Sequence, residues 1–449
     1  MMRSLYSGVA GLKTHQTRMD VIGNNIANVN TTAYKSQSMT FADLMYQTTQ
    51  NASGANPTSG VGGVNARQIG LGAKTSAIKT NITGQGASQT TNDPFDIMIT
   101  GENFFVVSNG QENFFTRDGS FYVDGAGNLC MTSTGYNVMG WLTDETGVAI
   151  KQDVVQALRI MSNEFMTYPS EYTTQGEMTG IVDSFDTNIA NTAGKMVTFD
   201  FYDNLGFKYT AKFSIHDDTA GTLTDGKFTV NLDEIRDPNG EVLTTLSGVP
   251  ADSKSFNLEF STVNGTLTKV TQGSAESTEG KVTLDFSTLG DSFTQITLDC
   301  STMMNLNNNG ASTTVATRGS ASGVGAGRRV GEMSGINIQK DGMIYATYDN
   351  GQSRLLGQIA TAAFANASGL CKEGDNLYSA TQNSGDFDGI GVDITTGGGY
   401  MQTGVLEMSN VDLSAEFTEM ITTQRGFQAN SRIITVSDTL LEELTNLKR

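Results

Sequence analysis

Apolar residues return every seven positions at both ends of this chain, and between the ends that rhythm gives way to short alternating runs. Toward the C-terminus one column passes through Leu406, Leu413, Met420, Phe427, Ile434 and Leu441, widened by Leu444 and Leu447. A seven-residue repeat keeps one side of a long helix apolar and winds it gently around a partner. Residues 405–449 hold no proline, and Gly426 is their only glycine. Asn410 or Asp412 supplies a cap, Glu416 and Glu419 follow in the early turns, and Lys448 and Arg449 suit the negative end of the helix dipole. The companion column is poor, because Phe417 is followed by Gln424, Ser431 and Asp438. The pattern predicts a helix packed on several neighbours rather than a two-stranded zipper.

At the other end, Leu5, Leu12, Met19 and Ile26 form a column beside Gly8, His15, Ile22 and Val29. Helices of about 25 and 35 residues span roughly 37 and 52 Å, which suits a rod better than the rim of a small core. The expectation is that neither apolar side finds a sufficient partner in its own molecule, so that other copies cover it. The candidate assembly interface is Leu5, Leu12, Met19, Ile22 and Ile26 with Leu406, Leu413, Phe417, Met420, Phe427, Ile434 and Leu441.

Between the helices the pattern is that of strands. A run of Asn and Thr from Asn24 to Thr32 competes with helix through local side-chain bonds and marks a break. Residues 36–80 read as extended, with a flexible Ser/Gly/Asn patch at 51–63. Ile97–Ile99, Phe104–Val107, Asn113–Phe115 and Phe121–Val123 then alternate with Asn-Gly and Asp-Gly turns. Residues 150–312 form another strand-rich block, with hairpins expected around Asp203–Gly206 and Asn264-Gly265, and suggest a sandwich or barrel. From Ser334 to Phe364 the first style resumes. The chain therefore reads as α+β, with long coiled-coil-like terminal helices bracketing nested, mainly antiparallel β domains. The expected division is a helical assembly domain at 1–70 and 400–449, a discontinuous inner β domain at 71–149 and 313–399, and an outer β domain inserted at 150–312.

Charge narrows the function. The net charge is −19, yet residues 1–50 carry four basic and two acidic groups and residues 405–449 four basic and seven acidic, so nearly all of the excess lies between. That excludes the basic stripe a nucleic-acid partner requires. Cys130, Cys300 and Cys371 lack metal or redox spacing, and no run is long enough to span a bilayer. Met1 to Asn30 has no apolar secretory core, so no cleaved signal peptide is expected. With only His15 and His216, no hydrolytic triad or metal cluster assembles. Gly323–Gly327 lacks the flanking strand and helix of a dinucleotide loop, and Asp386–Gly389 lacks the terminal Glu of a calcium loop. Neither an enzyme nor a cofactor is expected. A secreted β-rich carbohydrate-binding protein or enzyme is the rival from another class, although Trp141 is the sole tryptophan available as a sugar platform.

Three stretches resemble a known family. NNIANVNTTAYK at 24–35, DIMITGENFFVVSNGQENFFTRDG at 96–119 with 135–141, and the segment 406–447 containing MSNVDL and TTQRGFQANS are similar to the axial proteins of the bacterial flagellum, which include rod, hook and hook-associated proteins. The motif residues are Asn24, Asn25, Asn28, Asn30, Thr31, Tyr34, Gln424, Arg425 and Asn430, and Ala33 stands where the family usually has glycine. Within that family the distal rod members are expected to be shorter and to lack a large outer domain, so the insert points to the hook branch, with distal rod and hook–filament junction proteins as alternatives. The resemblance implies a homopolymeric, extracellular tube of the flagellum basal body and hook, exported unfolded by the type III apparatus and acting as a flexible joint. It further implies rod and junction proteins as neighbours at the two ends, a hook cap during growth, and neither nucleic acid nor membrane insertion.

Overall fold

The computed structural model describes residues 2–54, 62–144, 147, 149–217, 226–243 and 249–447. Most of the patch expected to be flexible at 51–63, and the terminal Lys448 and Arg449, lie outside the described residues. The chain is mostly β, with a long helix at each end, Met2–Ala27 and Leu413–Asn446. Asp412 caps the second helix, its Oδ1 accepting from the amides of Ser414 and Ala415 at 2.9 and 3.3 Å. Leu406 therefore lies ahead of the helix, in the strand Val405–Glu407, which pairs with Ser88–Thr90. The seven-residue column begins at Leu413, because the cap sets the start and Leu406 falls before it.

Two compact units are present: 1–162 with 336–346 and 354–449, and 163–335 with 347–353. The boundary differs from 150 and 312 for local reasons. Leu158 is buried, and its amide and that of Ile160 bond to Val138 and Gly127, which holds 156–160 in the first unit. Val315–Arg318 pairs with Gln175–Thr179, which holds it in the second. The terminal helices share one unit with the strands expected to form a separate inner domain.

In the first unit, residues 36–80 are more ordered than an extended linker. Gln37–Asp43 pairs with Ala73–Thr80, and Tyr46–Gln50 with Arg67–Gly70, giving an antiparallel ribbon. Its outer faces expose Leu44, Met45, Tyr46 and Ile69. The main sheet runs Ser353–Ile359, Asn137–Leu142, Phe104–Ser108, Asn113–Thr116, Leu377–Ser379, Cys371–Gly374. Phe104, Val106, Phe115 and Tyr378 form a core against it with Phe364 and Phe387. Trp141 is buried and its indole N–H donates to the carbonyls of Asp153 and Ile390, so it offers no sugar platform. Asp388 caps its own turn through the amides of Ile390 and Gly391.

The second unit is a sandwich. A six-stranded sheet, 195–202, 208–217, 227–236, 255–260, 267–272, 275–277, and a four-stranded sheet, 281–285, 295–299, 175–179, 315–318, share one apolar cluster that includes Phe199, Phe201, Phe213, Phe228, Phe256 and Phe286. Both expected hairpins form, with Tyr202 opposite Lys208 and Phe260 opposite Leu267. Cys300 lies inside this core, where burial pushes its thiol up to about 12.

Candidate functional site: the terminal helix pair and the clasp at its base

The two terminal helices pack on each other in antiparallel sense. Ser4 meets Ser437 (3.5 Å between hydroxyls), Arg18 donates to Glu419 (3.0 Å) and Asn25 to Glu416 (2.8 Å). A Cβ on Gly11 would fall 2.7 Å from Asn430, one on Gly8 3.3 Å from Ile434, and one on Gly426 2.6 Å from the His15 ring. Ser4, Gly11, Arg18 and Asn25 are themselves spaced by sevens, as are Glu416, Thr423, Asn430 and Ser437. The repeat is thus real, but the pairs that meet are mostly small and polar, with Ile434 of the apolar column packed at Gly8. Glycines at the contact let the backbones approach closely, and hydrogen bonds take the place of interdigitated leucines. His15 packs against Phe41 of the ribbon (ring centroids 5.5 Å apart), and burial, helped by the charge of Arg18, holds its imidazole below the usual histidine range.

This pairing corrects the expectation that the ends lack a partner in their own molecule, while leaving much of the apolar surface uncovered. Of the candidate interface, Ile22 is buried, and Leu5, Leu12, Met19, Ile26, Leu406, Met420, Ile434 and Leu441 are half-buried. Leu413, Phe417 and Phe427 are exposed. So are residues outside that set: Ile421 at 60%, Val436 at 57%, and Leu440, Leu444, Met2, Tyr6 and Val9. Leu413, Phe417 and Ile421 follow one another by fours, as do Val436, Leu440 and Leu444, making two outward stripes.

Below the pair the two signature segments close on each other. The amide of Ala33 donates to the Glu407 carbonyl, and that of Asn410 to the Tyr34 carbonyl. Asn410 Oδ1 accepts from the Ser36 amide, while its Nδ2 donates to Asn81 and Gly84. Asn25 is fully buried: its Oδ1 accepts from the Gln37 amide and from Tyr34 Oη, and its Nδ2 donates to Gln37 O and Glu416. Asn28 bonds back to Asn24 and accepts from Thr31, closing the turn after the helix. Asn30, Gln424 and Arg425 are exposed and take no part in this contact. Sequence reasoning missed Lys35 and Glu407 as members. The available signal was a carboxylate on the same face of its strand as buried Val405.

Ala33 has φ +55° and is 1% exposed, which explains why glycine suits this position. Ala33→Gly is expected to stabilise the first unit by about 1 kcal/mol through relief of left-handed strain, read as a higher melting temperature in the full chain. An unchanged or lower value would show that the methyl group's packing outweighs that strain.

This arrangement, terminal helices paired beside a ribbon and clasped to a β sheet, carries the signatures of a class of proteins. Family models match at 5–35 (flagella basal body rod protein), 98–163 (flagellar hook protein FlgE/F/G D1 domain) and 402–447 (flagellar basal body rod FlgEFG protein C-terminal). The flagellar hook protein FlgE of Treponema pallidum is 36% identical over 470 residues, covering all of both chains, and that of Borreliella burgdorferi is 34% identical, again over the whole of each. The chain belongs to the flagellar hook protein family, which is structural rather than enzymatic. A basal-body rod protein FlgG of Bacillus subtilis also aligns over the full length of both chains at 29% identity. A large insert therefore does not by itself separate hook from rod relatives; the Treponema pallidum and Borreliella burgdorferi hook proteins, at 36% and 34%, are more similar to this chain than that rod protein.

Proposed function

We propose that this chain is the building block of the flagellar hook, joining copies of itself into a flexible tube that carries torque from rod to filament. The observation that carries the reading is the inverted character of the helix pair. Its inner seam is mostly small and polar, while Leu, Phe, Ile and Val side chains point outward. Fully covering an exposed side chain of this kind contributes roughly 1.5–3 kcal/mol, which a second copy supplies in the polymer. A contact of one face with a different face of the next copy does not close, and propagates as a filament. Rod and junction proteins would occupy the two ends of the tube, a cap would guide its growth, and the type III apparatus would export the chain unfolded.

In this reading the helices and ribbon supply the contacts between copies, and the acidic sandwich slides against its neighbours as the tube bends. Negative-stain microscopy of the purified chain, intact and with 163–335 deleted, tests both parts. Tubes are expected from each, with altered curvature in the deletion. Discrete small oligomers of the intact chain would refute the polymer, and loss of all assembly in the deletion would refute the division of labour.

A further inference from the structure

At the base of the helix pair two cations share one carboxylate. Lys35 Nζ lies 2.7 Å from Glu407 Oε1 and Arg117 Nη1 lies 3.7 Å from Glu407 Oε2, and all three side chains are 1% exposed. Lys35 comes from the segment after the first helix, Arg117 from the bend that follows the strand Asn113–Thr116 of the main sheet, and Glu407 from the strand before the last helix. Burying an ion is costly unless it is paired, and a buried charge left over after pairing bears that penalty alone. Among these three side chains one positive charge is in excess, with Glu102 acting on Arg117 from outside the cluster. Arg117 Nη2 donates to the Gly101 carbonyl and its guanidinium lies over the Phe104 ring at 5.0 Å, which relieves part of it. Burial draws both Lys35 and Arg117 below their usual ranges, and Glu407 opposes the shift in each.

Glu407 has a second task. Its Oε1 accepts from the Gly86 amide at 2.9 Å, tying in a fourth segment. Lys35 also donates to the Gly84 carbonyl, but that carbonyl has another donor in Asn410 Nδ2. The two partners are therefore unequal. Loss of Lys35 leaves Gly84 O and Glu407 Oε1 each with another donor, and Arg117 still facing the carboxylate, whereas loss of the carboxylate charge leaves two buried cations together. Arg117 Nε and Nη1 and Glu407 Oε2 have no hydrogen-bond partner of their own, so charge is what links them.

We propose that Glu407 is the positioning residue that fixes the helix pair to the β sheet, and that it does so by its charge rather than by its hydrogen bonds. The cluster lies within one unit of one chain, so the test reads the clasp alone and its failure would leave the hook assignment standing. Hydrogen exchange of the full-length chain is followed in peptides covering 31–37, 84–88 and 405–411. Glu407→Gln keeps the acceptor and the shape, and is expected to speed exchange there by roughly a hundred-fold or more. Lys35→Met removes the excess charge and is expected to stay within about three-fold of the parent. The double variant restores the parent's net charge and is expected to exchange at least about ten-fold more slowly than Glu407→Gln alone. If hydrogen bonds rather than charge hold the clasp, the double variant is as fast as Glu407→Gln or faster, and that result overturns the proposal. So does a Lys35→Met variant as damaged as Glu407→Gln. If Glu407→Gln does not accumulate as folded protein, a folded double variant supports the proposal, and failure of both overturns it.

Discussion

Phe417→Asp and Leu440→Lys are each expected to abolish tube formation while leaving the monomer folded. Phe417 is 49% exposed and Leu440 44%, each within an outward stripe that the described residues of its own unit leave uncovered. Each substitution replaces apolar surface worth roughly 1.5–3 kcal/mol on burial with a charge that resists burial. In a homopolymer the same loss recurs at every subunit, so a moderate change per contact becomes a large one for the tube. Both positions are exposed on the helix surface, so the substitutions remove no core contact and the helix is expected to persist. Sedimentation and negative-stain microscopy read the outcome, with far-ultraviolet circular dichroism as the folding control. Normal tubes from either variant would show that these stripes are not contact surfaces.

Gly86→Ala is expected to open the clasp. A Cβ at this position would lie 1.8 Å from the Met408 carbonyl oxygen, an overlap that backbone movement alone can relieve. The Met408 amide donates to Ala87 O at 2.8 Å, and the neighbouring strands 88–90 and 405–407 are paired, so such movement breaks the contact on which Glu407 depends. Overpacking costs about 1–3 kcal/mol where side chains can yield and more against backbone. A loss of about 3 kcal/mol lowers the melting temperature of a unit of this size by roughly 5 °C. In differential scanning calorimetry that fall belongs to the first unit, while the sandwich at 163–335 is expected to melt as before. Melting unchanged in both would mean that the chain accommodates a Cβ there without loss.

The sequence reading succeeded where structure follows from neighbours along the chain. The helix limits are local consequences: Asp412 caps one end, and the Asn-rich stretch after Ala27 closes the other. The hairpins of the sandwich are equally local, since the turn residues at 203–206 and the alternation on either side set their register. The ten-residue strand Lys227–Arg236 was missed for the complementary reason, its alternation being diluted by Asn231, Asp233 and Glu234 on the outer face. The ribbon at 37–80 was also missed, because its strands are almost wholly exposed and leave no buried face to record.

By itself the sequence determined that both ends are helical with a seven-residue period, that strands fill the middle, and that the termini carry the family signatures. What only the tertiary structure decided is which side of each helix faces which. Periodicity reports that a column exists, but Asn25 and Glu416 stand 391 residues apart, and no local rule says that their polar columns should meet. The same holds for Lys35, Arg117 and Glu407, whose charges acquire meaning only once three distant segments exclude water around them. Long-range contact turns an ordinary lysine and glutamate into a buried pair, and leaves Leu413, Phe417, Phe427, Leu440 and Leu444 exposed.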